Sequence, residues 1–233
     1  DGWDSLAVLA ARVRASIVDV RYAGFGTTVL DGDGEDPGDP GDFESSGRPG
    51  SLGAATLVDP SGLAITSAEI ALTRSRLEAV LLDGTRCPLT VVAVDEGSRL
   101  GVARVDCGSR PLPFLAFGDS GALRLGEWVL AVGSPAGLPS TVTAGVITAT
   151  PRQISNVPYD EILQTDAAMS WGSTGGALVS LRGELIGVSV PLGLYGVHSA
   201  VPSAVVQRVF AQLVEKGRVV RPWLGLMPQA LSE

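Results

Sequence analysis

One histidine, two cysteines and no long apolar run bound what this chain can be. A zinc site built from imidazole and thiolate needs about four such ligands, so that chemistry is excluded on ligand count. No stretch reaches the ~18 unbroken apolar residues of a membrane span. Basic residues are too few: 17 Lys and Arg stand against 25 Asp and Glu, a net charge of −8. Binding along a phosphate backbone needs clustered cations, so this balance argues against non-specific nucleic-acid binding and no nucleic-acid partner is expected. No cofactor is implied. No signal peptide is visible, and Asp1 is not an initiator Met, which fits either a removed leader or a piece of a longer protein.

Glycine, proline and short apolar segments are plentiful. Residues 5–14 carry helix-spaced apolar positions with Ser5 as a candidate cap, and the pattern changes to strand alternation over Ser16–Tyr22. Residues 31–50 are rich in Gly, Asp and Pro and read as a flexible acidic loop. Asp31, Asp33 and Glu35 could offer hard oxygens to calcium, but a solvated loop is the favoured reading and no metal site is assigned. From Ala55 onward strand follows strand. Expected strands are Ala55–Val58, Leu63–Thr66, Leu77–Leu82, Cys87–Val94, Leu100–Val105, Trp128–Val132, Thr141–Thr150, Ala177–Ser180, Glu184–Val190 and Val197–Val201. A short helical turn falls at Ser67–Leu72, and an amphipathic helix capped by Ser203 runs to Lys216. This is an all-β pattern of sandwich or barrel type.

The stretch Gly172-Ser173-Thr174-Gly175-Gly176-Ala177-Leu178 is a glycine-rich turn leading into an apolar strand. Together with Asp59 through Ile70, Gln164-Thr165-Asp166-Ala167, Gly183-Glu184-Leu185-Ile186-Gly187 and Ala200-Val201-Pro202-Ser203, it makes the chain resemble the protease domain of HtrA/Deg serine endopeptidases. The resemblance implies a trypsin-like double six-stranded β-barrel with an N-terminal and a C-terminal helix over residues 1–220. Residues 221–233 resemble the start of a linker to a PDZ-like domain that this chain does not contain.

Acyl transfer by this family needs a hydroxyl nucleophile, an imidazole base, a carboxylate that orients it, and oxyanion donors. Matched motif by motif, those three side chains fall on Thr174, Glu69 and Arg99. Each departs from the family pattern. The Thr174 methyl crowds the attack path. Glu69 is a carboxylate and a poor base for an alcohol. Arg99 only donates hydrogen bonds and cannot orient a base by accepting one. The exchanged charges predict a Glu69–Arg99 salt bridge, with the Thr174 hydroxyl donating to Glu69 and the Glu69 pKa lowered. His198, the only imidazole, falls beside the specificity pocket by the resemblance, and Ser173 comes one residue too early to attack. The expectation is therefore a pseudoprotease. The alternatives are an active endopeptidase using Thr174 and a regulatory subunit of an active paralogue.

The resemblance leaves a binding apparatus. Gly172 and Thr174 supply oxyanion-type amides, Met169 and Trp171 line the specificity pocket, and Ser189 and Val190 form an edge for an extended peptide, with Pro191 opposing that pairing. Met169 as plain core and Trp171 as filler of the old site are the alternatives. Tyr22 and Phe25 are candidate aromatic contacts in a segment resembling the family's trimer contact, so the expected partners are a protein or peptide ligand and a homotrimer or hetero-oligomer. Cys87 and Cys107 flank a hairpin turning near 95–98; counted outward they stand nearly opposite, as a disulfide or as two buried thiols. The expected location is extracytoplasmic, with tethering by a segment outside this chain as a variant.

Overall fold

Side chains along a strand alternate between two faces, and here the alternation sorts the strands into two barrels. The structure is a computed structural model that describes residues 2–23, 50–73, 75–135, 140–152, 162–169, 171–190 and 198–221. The first barrel comprises β1 (Ile17–Tyr22), β2 (Ser51–Leu57), β3 (Leu63–Ser67), β4 (Leu77–Val80), β5 (Arg86–Asp95) and β6 (Leu100–Val105), closed in the order β1-β2-β3-β6-β5-β4. The second comprises β7 (Trp128–Gly133), β8 (Thr141–Arg152), β9 (Ile162–Thr165), β10 (Ala177–Ser180), β11 (Leu185–Ser189) and β12 (His198–Pro202), closed in the order β10-β11-β12-β9-β8-β7. Helices α1 (Gly2–Arg14) and α3 (Ser203–Lys216) lie at the two ends, and α2 (Ala68–Ala71) is a single turn after β3. The expected double six-stranded barrel with a helix at each end is the fold found.

Strand β7 shows how the cores form. Val129 and Ala131 point into the second barrel, with Leu163, Leu178 and Ile186. Leu130 and Val132 point the other way, into a layer shared with Leu9 and Val13 of α1, Leu100 and Val102 of β6, and Val206, Val209 and Leu213 of α3. Barrel 1 has its own interior, around Val18, Leu57, Ala79 and Ala103. The shared layer fixes one barrel against the other, and the cleft between them is where the candidate site lies.

Several local expectations are corrected. Helix α1 already begins at Gly2, so Ser5 is inside it and is not its cap. Ser203 does not cap α3: Pro202 holds that position without a side-chain bond. The Ser203 hydroxyl instead donates to the Gly118 carbonyl at 2.6 Å and accepts the Ser120 amide at 3.2 Å, tying α3 to the segment before β7. Strand β9 was not expected at all. Cys87 and Cys107 are joined by a disulfide with a Cα–Cα separation of 5.2 Å; the pairing Leu89↔Val105 between β5 and β6, continued two residues outward on each side, sets them opposite. Tyr22 packs against the barrel 1 interior. The loop at 31–49, Phe25, Pro191 and the linker residues 222–233 lie outside the described residues. Among the described residues no helix is long and apolar enough to cross a membrane, and no group of His, Cys, Asp and Glu is arranged to hold a metal ion.

Candidate active site

Two backbone bonds and one capping hydroxyl set the positions of Glu69, Arg99 and Thr174 at the crease where the two barrels meet. Strand β3 ends at Ser67, whose hydroxyl accepts the Ile70 amide at 3.3 Å and so caps α2. Residue 69 therefore projects from the first turn after β3. Arg99 ends a 3-10 turn over Glu96–Ser98, and its carbonyl accepts the Ala68 amide at 2.9 Å. Glu69 and Arg99 thus sit on adjacent backbone segments of barrel 1. Thr174 comes from barrel 2, and its carbonyl accepts the Ala54 amide of β2 at 2.8 Å.

The glycine-rich turn is wedged between the barrels. Gly175 has φ +82°, and a Cβ there would stand 2.1 Å from the Ala54 carbonyl oxygen and 2.7 Å from Thr66 Oγ1. The Thr56 hydroxyl donates to the Gly175 carbonyl at 3.1 Å. A Cβ on Gly53 would meet Ile70 Cδ1 at 2.8 Å and the Thr174 carbonyl oxygen at 2.9 Å, so the residue after Glu69 and the Thr174 backbone both close on one point of β2. From the other side, the Gly175 amide donates to Ser189 and the Ser189 amide donates to Gly176, each at 2.9 Å.

The electrostatics differ from the expectation. Glu69 lies on the surface, yet its carboxyl is surrounded enough that burial raises its pKa, and the nearby Arg99 charge only partly opposes this. Among the described residues no salt bridge is formed at Glu69 and no hydrogen bond is made by the Thr174 hydroxyl. The expected lowering of the Glu69 pKa is therefore corrected: attraction without a bonded pair does not offset desolvation. Ser173 is turned away from the crease, its Cα, Cβ and Oγ lying against Gly133 of β7. His198 is in barrel 2, paired with Thr165 of β9.

Trp171–Ser173 form a 3-10 turn directly before Thr174. The Gly172 carbonyl accepts the Ser134 amide at 3.3 Å. Met169 is partly buried and packs against the interior of barrel 2. Ser189 and Val190 are buried, and both amides are bonded internally, that of Val190 to the Ser199 carbonyl at 3.2 Å. The Ser189 carbonyl accepts the Gly175 amide, and a peptide laid along these two residues would find neither amide free to donate. The Trp171 side chain lies outside the described residues.

Two polar arrangements beside the site escaped the sequence reading. Asp19 of β1 is buried, paired with Arg21, and accepts hydroxyl bonds from Ser51 at 2.7 Å and Ser134 at 2.9 Å, so it links the barrels under the turn. Asp95 caps the turn that ends at Arg99 and also binds Arg221. The spacing of Asp95 and Ser98 signals a capped turn; the distant Arg221 leaves no local signal.

Comparison with known proteins agrees with this geometry. The profile of the trypsin-like peptidase domain matches residues 53–188. A protein named probable periplasmic serine endoprotease DegP-like, from Brucella suis biovar 1 (strain 1330), is 34% identical over 191 residues, 80% of this chain and 37% of that protein. One of the same name from Chlamydia pneumoniae is 36% identical over 186 residues, 77% of this chain and 38% of that protein. The chain thus spans a little over a third of these curated relatives. Among solved structures, the HtrA-type protease AlgW with a decapeptide superposes with a TM-score of 0.81 at 28% identity, covering 97% of this chain and 72% of that one. The same protease with a tripeptide gives 0.79 at 27% identity, covering 97% and 69%.

Proposed function

This chain belongs to the trypsin-like peptidase domain family, among the HtrA/Deg proteases, and from that premise we propose that it is a catalytically inactive member that holds an extended peptide or protein segment between its barrels. One observation carries the reading. Glu69 and Arg99 interact on barrel 1, the Thr174 backbone is bonded to Ala54 of the same barrel, and the one imidazole in the sequence, His198, stands on β12 against Thr165. An alcohol attacks an amide when a base takes its proton and a third group holds that base. Glu69 accepts no hydrogen bond from Thr174 among the described residues, and Arg99 cannot orient it by accepting.

The ligand class comes from the relatives: both superposed AlgW structures carry a peptide. An extracytoplasmic location accords with the relatives named periplasmic and with the Cys87–Cys107 disulfide, which persists in oxidising compartments. Assembly as a homotrimer, or with an active paralogue, belongs to the same proposal, as does a PDZ-like domain after residue 221.

The raised pKa of Glu69 favours the second reading, an endopeptidase with Thr174 as nucleophile, because it makes the carboxylate a stronger base than usual. Casein turnover and fluorophosphonate labelling separate the two. The inactive reading expects neither turnover nor an adduct, while a fluorescein-labelled casein fragment still binds. Turnover that disappears in Thr174→Ala would establish the endopeptidase instead.

A further inference from the structure

Helix α3 ends at Gly217, and the chain then turns back over barrel 1, with the Val220 amide donating to Gln212 Oε1 at 2.9 Å. Arg221 grips Asp95 as a fork. Its Nη1 lies 2.8 Å from Oδ1, and its Nη2 bonds Oδ2. The same carboxylate, whose side chain is 8% exposed, accepts the Ser98 amide at 2.8 Å and the Ser98 hydroxyl at 2.6 Å. Burial pushes the Asp95 carboxyl up, but the bonds from Arg221 and Ser98 outweigh it and hold the pKa below the ordinary range. Gly97 lies directly under the guanidinium: a Cβ there would stand 2.8 Å from Arg221 Nη2.

The gripped turn ends at Arg99, which has φ 59°, in the left-handed region. A non-glycine residue is strained there, so surrounding contacts must hold it. Asp95 holds its start, and the bond from the Ala68 amide to the Arg99 carbonyl holds its end. Ala68 is the residue before Glu69. An unbroken series of bonds thus runs from the exit of α3 through Asp95 and the turn to both charged residues of the crease.

We propose that the exit of α3 is a strap that sets the crease: Arg221 and Asp95 are positioning residues that fix the Glu96–Arg99 turn and, through it, where Glu69 and Arg99 stand. Drawing the strap away, as a partner engaging the segment after α3 would do, loosens the crease without unfolding either barrel. This coupling holds whether the crease binds or hydrolyses.

Amide hydrogen exchange on the whole chain tests it, comparing the parent with Arg221→Ala and Arg221→Lys. Arg221→Ala should exchange about tenfold faster at residues 96–101 and 68–72, the scale of losing one charge-assisted bond at a half-exposed site. Residues 177–189 of barrel 2 should be unchanged. Arg221→Lys, which keeps the charge without the fork, should fall between. Faster exchange confined to 217–221 would overturn the proposal, leaving the contact as an anchor for the tail alone. A uniform rise across both barrels would overturn it too, as global destabilisation.

Discussion

Replacing Gly175 with Ala tests how the glycine-rich turn is docked, and Gly84→Ala is its control. The two glycines share almost the same backbone, φ +82° and φ +84°. An alanine in this left-handed region costs about 1–2 kcal/mol, offset in part by a less flexible unfolded chain. At Gly84, in the hairpin after β4, nothing lies within 4 Å of the added carbon, so a loss of about 1 kcal/mol is expected. At Gly175 the added carbon would stand 2.1 Å from the Ala54 carbonyl oxygen. That oxygen accepts the Thr66 hydroxyl at 2.8 Å, and the Ala54 amide holds the Thr174 carbonyl, so β2 cannot recede without breaking bonds. The turn cannot recede either, because the Gly175 amide is bonded to Ser189.

Overpacking of this kind adds about 1–3 kcal/mol, and each hydrogen bond that gives way adds about 1 kcal/mol. Gly175→Ala should therefore lose about 3–5 kcal/mol in all. At about 2–4 °C per kcal/mol for a chain of this size, Tm should fall by roughly 6–20 °C, against a few degrees for Gly84→Ala. Urea unfolding followed by tryptophan fluorescence gives both values, provided the m-values agree. Equal losses in the two variants would refute the docking of the turn on β2 and β3, since only the backbone conformation would then matter.

Two further outcomes follow from the electrostatics and the disulfide. Burial raises the Glu69 pKa in the folded chain, so the folded state binds that proton more tightly than the unfolded one, and stability declines as pH rises from the unfolded value through the folded one. Glu69→Gln should then be the more stable protein near pH ~7, by less than about 1 kcal/mol at this exposed site, and match the parent near pH ~3; a weaker Gln variant at neutral pH would mean that Arg99 attraction outweighs burial. The Cys87–Cys107 bond spans 20 positions of sequence, so its reduction should cost about 3 kcal/mol in denaturant unfolding. Two thiols alkylated in the unfolded, unreduced protein would refute the bond.

What was legible in the sequence follows from how local each cause is. Strand Leu100–Val105 and helix Ser203–Lys216 coincide with their expected bounds, because apolar periodicity and turn residues mark them from within. Strand β9 has four residues, one of them Gln164, and too short an alternation to read. It is a strand because β8 and β12 need a partner on each side to close the barrel. Ser203 had the right chemistry for a cap, but Gly118 and Ser120 compete for its hydroxyl. At the site, motif order singled out Glu69, Arg99 and Thr174 as candidates, but the sign of the Glu69 shift depends on how much water the fold removes. The Asp95–Arg221 fork joins residues 126 positions apart, which no local pattern encodes.

The same distinction explains how the crease keeps its shape independently of the side chains at residues 69, 99 and 174. Each position serves the fold through its backbone. The Thr174 carbonyl receives Ala54, the Arg99 carbonyl receives Ala68, and the Glu69 carbonyl receives the Thr73 hydroxyl at 3.4 Å. The wedge is completed by Gly53, Gly175, Thr56 and Thr66, which take no part in proton transfer. None of these bonds depends on the side chain at residue 69, 99 or 174. On this account, exchanging Glu69, Arg99 or Thr174 should disturb the fold far less than filling Gly175.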